Sequence, residues 1–138
     1  MGGRYRESNT LVLGAKFETI DYHDIPLNMM EIDKKIQMVL ENTETLEYSK
    51  YVEAIVRIHH RLTVIHAFRD GNGRTARVFL NMLFLKKHIP PIFFKDREKD
   101  IYKDALAVVD TTGDFSELYE VFFKAVLGSN AILSDFSR

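Results

Sequence analysis

An apolar stripe at helical spacing runs through the middle of this 138-residue chain. In the segment EYSKYVEAIVRIHHRLTVIH, apolar side chains recur at alternating four- and three-residue steps, at Tyr51, Ile55, Ile58, Leu62 and Ile65. This spacing puts them on one face of an α-helix, and such a face must be covered by other elements of the fold. The pattern therefore predicts a central helix against which the remaining segments pack.

Other segments on both sides of that helix also have helical patterns. Asn28 and Glu31 have the spacing of a capping box before MMEIDKKIQMVLEN. The segment RTARVFLNMLFLKKHI is apolar nearly all round, which predicts a buried helix that stops at the prolines of positions 90–91. DREKDIYKDALAVVD is amphipathic, and a last helix is predicted to begin at a second capping box, Asp114 with Glu117. Its apolar face comprises Phe115, Leu118, Tyr119, Phe122 and Val126.

The first 25 residues differ from the rest of the chain. The stretch NTLVLGAKFETIDYHDIP mixes β-branched and aromatic residues around Gly14 and ends at Pro26, which predicts a short β-hairpin or extended flap. The expected fold class is therefore mainly α, a bundle of about five to six helices with a small N-terminal β-hairpin flap. We expect one domain over residues 1–138, with its core at about 3–128.

Composition excludes several classes of protein. A hydrophobic fraction of 46% is ample for one packed core, and a net charge of -1 gives no global attraction to nucleic acid or to an anionic membrane. The absence of cysteine excludes disulfides, thiolate metal sites and thiol nucleophiles. No apolar run approaches the ~18 residues that a membrane span needs, and the polar start does not resemble a signal peptide. We expect a cytoplasmic protein with no nucleic-acid or membrane partner.

The stretch IHAFRDGNGRTARVF, residues 65–79, concentrates charged and polar residues between two apolar runs. Gly71 and Gly73 allow the backbone to approach a ligand closely, and Asn72 tolerates the same geometry and adds a side-chain donor. The free amides at the start of the following helix favour an anion. Arg74 and Arg77 lie three residues apart, so both guanidinium groups face one side and can bind phosphate oxygens. The cluster predicts a phosphate-binding loop.

Two residues of this cluster indicate chemistry beyond anion binding. Asp70 is a carboxylate among phosphate-binding groups, which is typical of a site where Mg²⁺ is shared between the protein and a substrate's phosphates. His66, just before the loop, titrates in the range that suits a general base.

The cluster also has two other interpretations. DGNG alone is a common tight turn, but the two arginines in register and His66 have no part in turn chemistry. His59, His66 and Asp70 have ligand types suited to a metal-dependent hydrolase. Because adjacent histidines cannot share one helix face, we favour surface or partly buried positions for His59 and His60.

Two aromatic residues also have alternative roles. Phe68 either stacks on a bound ligand or anchors the loop in the core, and we favour the anchor while keeping Phe68 among the candidate ATP-binding residues. Tyr102 either lines a nucleotide pocket or packs half-buried against the core, and packing is favoured by its pattern alone.

The sequence HAFRDGNGRTAR resembles the signature HPFxDGNGRxxR of the Fic family at every position but the second, where Ala67 replaces proline. The resemblance extends to the opening GRYRESNTLVLG, which looks like the GxYR entry to the Fic core, and to IPPIFF and DIYKDAL. It covers nearly the whole chain and implies a Fic-fold helical bundle. Because Ala67 removes no reacting group, we expect the departure to affect rate rather than function.

The resemblance implies transfer of AMP from ATP to a Ser, Thr or Tyr hydroxyl of a target protein, with release of pyrophosphate. His66 would take the hydroxyl proton, and Asp70 would hold Mg²⁺. Positions 71–73 would form the anion hole, while Arg74 and Arg77 would bind the outer phosphates. The adenosine would be bordered by Tyr102.

The resemblance also implies a role for residues Thr19, Ile20, Asp21 and Tyr22, which would align the target by strand addition. Two other functions remain as alternatives: a Fic-fold transferase of another phosphate-containing group, and a non-catalytic nucleotide-binding interaction module. The intact glycine loop favours AMP, and the presence of His66 and Asp70 argues against an idle module.

Many Fic proteins carry an inhibitory helix with the pattern [S/T]xxxE[G/N], and the nearest match here is SELYEV. Ser116 and Glu120 have the right spacing, but Val121 replaces Gly or Asn, and the segment's apolar residues commit it to core packing. We therefore expect that an inhibitory helix or antitoxin lies outside this chain. The start at GRYR also suggests a fragment of a longer protein.

Overall fold

A computed structural model of the protein describes residues 4–9 and 19–136. A single turn of 3-10 helix, Tyr22–Asp24, leads into five α-helices. They are α1 (Ile25–Glu41), α2 (Tyr48–Ile65), α3 (Asn72–Leu85), α4 (Arg97–Thr112) and α5 (Ser116–Phe136). The described ranges contain no β-strand, which confirms the mainly helical fold class. Most of the predicted hairpin flap, at residues 10–18, lies outside the described residues.

The predicted central helix is confirmed in α2. All five residues of its apolar stripe are buried, and α2 packs against α1, α3 and α5. Each buried aliphatic side chain of this kind contributes about 1.5 to 3 kcal/mol relative to full exposure. The stripe thus makes α2 the central helix of the core. The last residue of α2, Ile65, is fully buried next to the polar cluster.

The start of α1 differs from the prediction. The helix begins at Ile25, three residues before the expected cap, with Pro26 in its first turn. Proline is favoured there because its fixed φ suits a helix and its missing N–H needs no partner. Asn28 is already helical, and its amide donates to the carbonyl of Asp24 (2.8 Å) instead of capping.

Burial around α3 also differs from the prediction. The side of α3 that faces α2 is buried, but Val78, Met82 and Leu85 are each more than half exposed and Phe79 is 37% exposed. The apolar pattern was correct for a helix and wrong for its burial, because periodicity cannot show how many neighbours a helix has. The helix ends before the prolines, as predicted.

Of the two residues in the capping box predicted for α5, Asp114 forms hydrogen bonds at the beginning of the helix. A carboxylate oxygen of Asp114 accepts hydrogen bonds from the backbone N–H (2.9 Å) and the hydroxyl (2.7 Å) of Ser116. These bonds hold the pKa of Asp114 below its usual range. The buried face of α5 includes Leu118, Phe122 and Val126, which close the core against α2 and α4.

Candidate functional site

The loop between α2 and α3 is bounded by two residues in the left-handed conformation. His66, the C-cap of α2, has φ 49° and donates its N–H to the carbonyl of Leu62 (3.1 Å). Gly71, the N-cap of α3, has φ 75°. Glycine adopts this conformation freely, whereas a residue with a Cβ does so at a cost. The loop is thus a tight connection whose histidine end is under backbone strain.

Asn72 closes the loop from inside. Its side chain is 9% exposed, accepts a hydrogen bond from the N–H of Phe68 (2.9 Å) and donates to the carbonyl of the same residue (2.7 Å). The donor that the sequence led us to expect at a ligand is therefore used within the loop. Asn72 can still offer its backbone N–H at the start of α3.

The N-terminus of α3 faces outward with its cationic side chains beside it. The first hydrogen bond of this turn runs from the N–H of Thr75 to the carbonyl of Gly71 (2.9 Å), so the amides of residues 72–74 have no intrahelical acceptor. A Cβ added to Gly71 would lie 3.3 Å from a terminal nitrogen of Arg74, and one added to Gly73 would lie 3.2 Å from Arg77. Each guanidinium group therefore lies over a glycine. The free amides of residues 72–74 and the two guanidinium groups together favour binding of an anion.

Asp70 stands at the outer edge of this surface. Its side chain is 89% exposed and lies 3.4 Å from the guanidinium of Arg74, which is 76% exposed. An ion pair this exposed contributes little to folding stability. The Asp70 carboxylate and the Arg74 guanidinium can consequently separate and bind a ligand instead, at a small cost in free energy.

His66 is half-buried beside the loop. Burial, together with the positive charge of Arg6, lowers the pKa of His66 from its usual value. At neutral pH the imidazole is therefore the neutral form, which has a nitrogen free of a proton and can accept one. This state is the one that a general base requires.

Arg6 is the residue of this site that the sequence reasoning missed. Its side chain is 2% exposed, and it donates to the carbonyls of His66 (2.6 Å), Ser8 (2.8 Å) and Ile65 (3.2 Å), and to that of Ile20. Desolvation lowers the pKa of Arg6 and the charge of Asp21 partly opposes this shift. The sequence signal was the GRYR opening, which gave no indication of what its arginine contacts.

His59 lies in the core, not at the surface. It is 2% exposed, its Nδ1 donates to the carbonyl of Ala76 (3.1 Å), and its Nε2 accepts from the hydroxyl of Tyr102. Burial lowers the pKa of His59 to about 4. The expectation of a surface or partly buried position is wrong for His59. Both nitrogens of its ring have hydrogen-bond partners, which offset the free-energy cost of burying it. His60 is partly buried, as expected, and lies 2.8 Å from Asp110.

The geometry does not support the metal-dependent hydrolase considered as an alternative. Both ring nitrogens of His59 already have partners inside the core. Among the residues that the structure describes, no group of three or more histidines and carboxylates is placed to hold a metal ion. The two histidines within α2, His59 and His60, are thus packing residues.

Tyr102 is 8% exposed and lies close enough to Arg77 to feel its charge. Its ring stacks on Phe94 at 5.0 Å, and Phe122 meets it edge-on at 5.9 Å. Burial raises the pKa of Tyr102, and the charge of Arg77 opposes that shift. The tyrosine is more deeply packed than the half-buried position that its pattern favoured.

Phe68 is half-buried against the core, with its ring 5.8 Å from that of Tyr5. The same N-terminal segment contacts residues 19–22. The N–H of Tyr22 donates to the Asn9 side chain (2.9 Å), and Asp21 caps the short 3-10 helix by accepting from the N–H of His23 (2.9 Å). The residues expected to align a target are therefore attached to the segment that carries Arg6.

Glu120 lies on the exposed side of α5. Its carboxylate pairs with Lys124 at 2.9 Å, and both side chains are more than 60% exposed. Separately, none of the described helices combines the length and the apolar character that crossing a membrane requires.

The chain is similar in sequence to members of a known family. A sequence model of the Fic/DOC family matches residues 1–84. A "Probable protein adenylyltransferase" of Aquifex aeolicus is 32% identical over 97 residues, which are 70% of this chain and 28% of that protein. A "Protein adenylyltransferase fic-1" of Caenorhabditis elegans is 33% identical over 85 residues, 62% of this chain and 16% of that protein. The chain thus spans less than a third of the length of these relatives.

Solved structures share the fold. The BepC protein of Bartonella tribocorum, with bound AMPPNP, has a TM-score of 0.73 at 19% identity and is similar over 87% of this chain and 56% of its own. A Fic domain containing signaling protein from Bacteroides thetaiotaomicron has a TM-score of 0.71 at 21% identity, over 91% of this chain and 52% of its own. At these identities the likeness shows the fold alone.

Proposed function

The chain belongs to the Fic/DOC family, and from this premise we propose that it is a protein adenylyltransferase. It transfers AMP from ATP to a Ser, Thr or Tyr hydroxyl of a target protein and releases pyrophosphate. Relatives named as protein adenylyltransferases support the proposal. The observation that carries it is the position of His66, a neutral half-buried imidazole fixed next to an open helix N-terminus with two guanidinium groups.

In the proposed reaction the loop binds the triphosphate and His66 handles the proton. The backbone amides of Gly71, Asn72 and Gly73 hold phosphate oxygens, and Arg74 and Arg77 neutralise the outer phosphates. The target's hydroxyl oxygen forms a bond to the α-phosphorus while the bond between that phosphorus and the oxygen bridging to the β-phosphate breaks. The hydroxyl proton passes to His66, and pyrophosphate leaves with the electron pair of the broken bond.

Asp70 is the residue that would hold Mg²⁺. One exposed carboxylate beside a phosphate-binding surface fits an ion bound chiefly by substrate phosphates and water, and it does not fit a site made of protein ligands alone. When bound, Mg²⁺ would supply charge neutralisation at the phosphates. Displacement of Arg74 from Asp70 would free both side chains for the nucleotide.

We assign the other residues of the site supporting roles. Phe68 anchors the loop between the core and Tyr5 and presents its partly exposed ring to the nucleotide. Tyr102, which lies within the electrostatic influence of Arg77, borders the adenosine. Thr19, Ile20, Asp21 and Tyr22 align the target's side chain by pairing through backbone groups other than the Ile20 carbonyl and the Tyr22 N–H, which bond to Arg6 and Asn9. We further propose that an inhibitory helix or antitoxin, where one acts, is not part of this chain; the pairing of Glu120 with Lys124 on the exposed side of α5 supports this.

A labelling experiment tests the proposed activity. The protein is incubated with Mg²⁺ and with ATP labelled at either the α- or the γ-phosphate, alone and with cell lysate. Protein-bound label from α-labelled ATP only is the expected result. Label from γ-labelled ATP would identify a kinase-like transfer instead, and binding of ATP without label from either would favour a non-catalytic interaction module.

A further inference from the structure

We propose that Arg6 is a positioning residue for the transfer reaction, which fixes His66 at the end of α2 and connects it to residues 19–22. The inference rests on the proposed function, because it takes His66 as the base and residues 19–22 as the target-aligning segment. Arg6 itself touches neither nucleotide nor target in this account.

The surroundings of Arg6 are unusual for a buried charge. Its side chain is 2% exposed, and within the described part of the chain it donates hydrogen bonds to four backbone carbonyls. Burying a cation is costly unless its donors are satisfied. Here the carbonyls at the C-terminal end of α2 provide partial negative charge as well as acceptors. The end of α2 and the charge of Asp21 thus both help to hold the cation.

Arg6 donates hydrogen bonds to three successive backbone carbonyls of the chain. Its side chain donates to those of Ile65 and His66, and its backbone N–H donates to that of Ala67 (2.8 Å). Because His66 is held with φ 49°, a conformation that costs a non-glycine residue free energy, these bonds fix a peptide that would otherwise relax. The direction of the imidazole follows from this fixed backbone.

The same guanidinium reaches the proposed target-aligning segment. One terminal nitrogen donates both to Ile65 in α2 and to the carbonyl of Ile20, while the other donates to Ser8. The base and the segment that would align the target hydroxyl are therefore attached to one planar group. Loss of the guanidinium group should therefore impair the alignment of the target hydroxyl with His66 more than it impairs ATP binding.

Arg6 also acts on His66 electrostatically. Of the charged groups in the described part of the chain, Arg6 is the one whose charge shifts the pKa of His66, and it lowers that pKa together with burial. Nearby, Asp70 and Arg74 pair with each other in solvent. A neutral replacement at position 6 should therefore raise the pKa of His66.

Two variants separate the geometry of Arg6 from its charge. Arg6→Lys keeps the charge but cannot form the planar fork, whereas Arg6→Gln removes both. Arg4→Gln is the matched control, because Arg4 is an exposed arginine of the same segment. Transfer from α-labelled ATP is measured as kcat and KM for ATP, and the His66 imidazole is titrated by NMR, with its resonance assigned by comparison with His66→Gln.

We expect both Arg6 variants to lower kcat by about 10- to 100-fold with little change in KM for ATP, since small misplacement of a reacting group has effects of this size. The His66 titration should move to higher pH in Arg6→Gln and stay near that of the parent in Arg6→Lys. Arg4→Gln should match the parent in both measurements. If Arg6→Gln does not fold, Arg6→Lys decides through kcat and KM.

An unchanged His66 titration in Arg6→Gln, or a kcat at the parental level in a folded Arg6→Lys, would overturn the inference. The two proposals fail in different ways. Should the parent protein transfer no AMP, the proposed function is wrong, while the NMR titration still shows whether Arg6 controls His66.

Discussion

The two ends of the loop between α2 and α3 are built differently. At the His66 end, Arg6 and Asn72 hold the backbone with partly buried hydrogen bonds, and the imidazole is half-buried. At the other end, the side chains of Asp70 and Arg74 are mostly exposed and make one weak ion pair. A group that moves a proton must be fixed before substrate arrives, whereas groups that bind phosphates must be free to leave one another. The two ends of the loop thus fit the two demands of the proposed reaction.

The exposed end should show the largest single effect on nucleotide chemistry. Asp70→Ala is expected to weaken Mg²⁺-dependent ATP binding and to slow transfer together, by at least about 100-fold in kcat/KM, because a metal ion supplies several kcal/mol of charge stabilisation. Thermal unfolding should barely change, since the carboxylate is exposed. Calorimetric titration with ATP at several Mg²⁺ concentrations measures the effect. Asp33→Ala, an exposed aspartate on α1, is the control, and full activity of Asp70→Ala at low Mg²⁺ would refute the role.

The buried side of the site predicts a dependence of stability on pH. Because the folded-state pKa of His59 is lowered to about 4, the unfolded chain binds this proton more readily. The contribution of His59 to stability is present above pH ~6.5 and is lost as pH falls toward 4, by about 3 kcal/mol in total. Urea unfolding of the parent and of His59→Gln at pH 7 and pH 4.5 measures this difference. An equal loss of unfolding free energy on acidification in both proteins would contradict the lowered pKa of His59.

Asn72 offers a direct comparison with Asn81, because both lie on α3 and each bonds the N–H and carbonyl of one residue outside that helix. Asn72 bonds Phe68 (2.9 and 2.7 Å), and Asn81 bonds Ile92 (2.8 and 3.2 Å). Either alanine variant should lose about 2 kcal/mol of unfolding free energy. Only Asn72→Ala should also reduce transfer, because only its bonds shape the loop. Similar transfer rates in both variants would mean that the fixed end of the loop does not matter for the chemistry.

A smaller effect is expected from the glycines. Gly71 and Gly113 share φ 75°, but a Cβ at Gly71 would meet Arg74 whereas one at Gly113 would meet nothing within 4 Å. Alanine at either position should cost about 1 kcal/mol through backbone strain. Gly71→Ala should also weaken ATP binding a few-fold, as measured by titration calorimetry. Equal ATP affinity in the two variants would show that the loop tolerates a side chain where the ligand is proposed to lie.

The sequence allowed prediction of features that depend on local spacing. The stripe on α2, the break at the prolines and the row of ligand-binding types in DGNGRTAR could all be read from neighbouring residues. The exposed face of α3 could not, because exposure depends on what lies across from a helix. Nor could the role of Arg6, whose partner His66 is 60 positions away. The open end of the loop was thus predictable, and the fixed end depended on tertiary contacts.

The central claim is that His66 moves the proton while the rest of the loop binds ATP. It is tested most directly by comparing His66→Ala with the parent at saturating ATP, with ATP affinity and label transfer from α-labelled ATP measured on the same samples. We predict that His66→Ala binds ATP within about twofold of the parent and transfers at least about 100-fold more slowly. An ATP affinity that falls as far as the rate does, or a rate equal to that of the parent, would contradict the account.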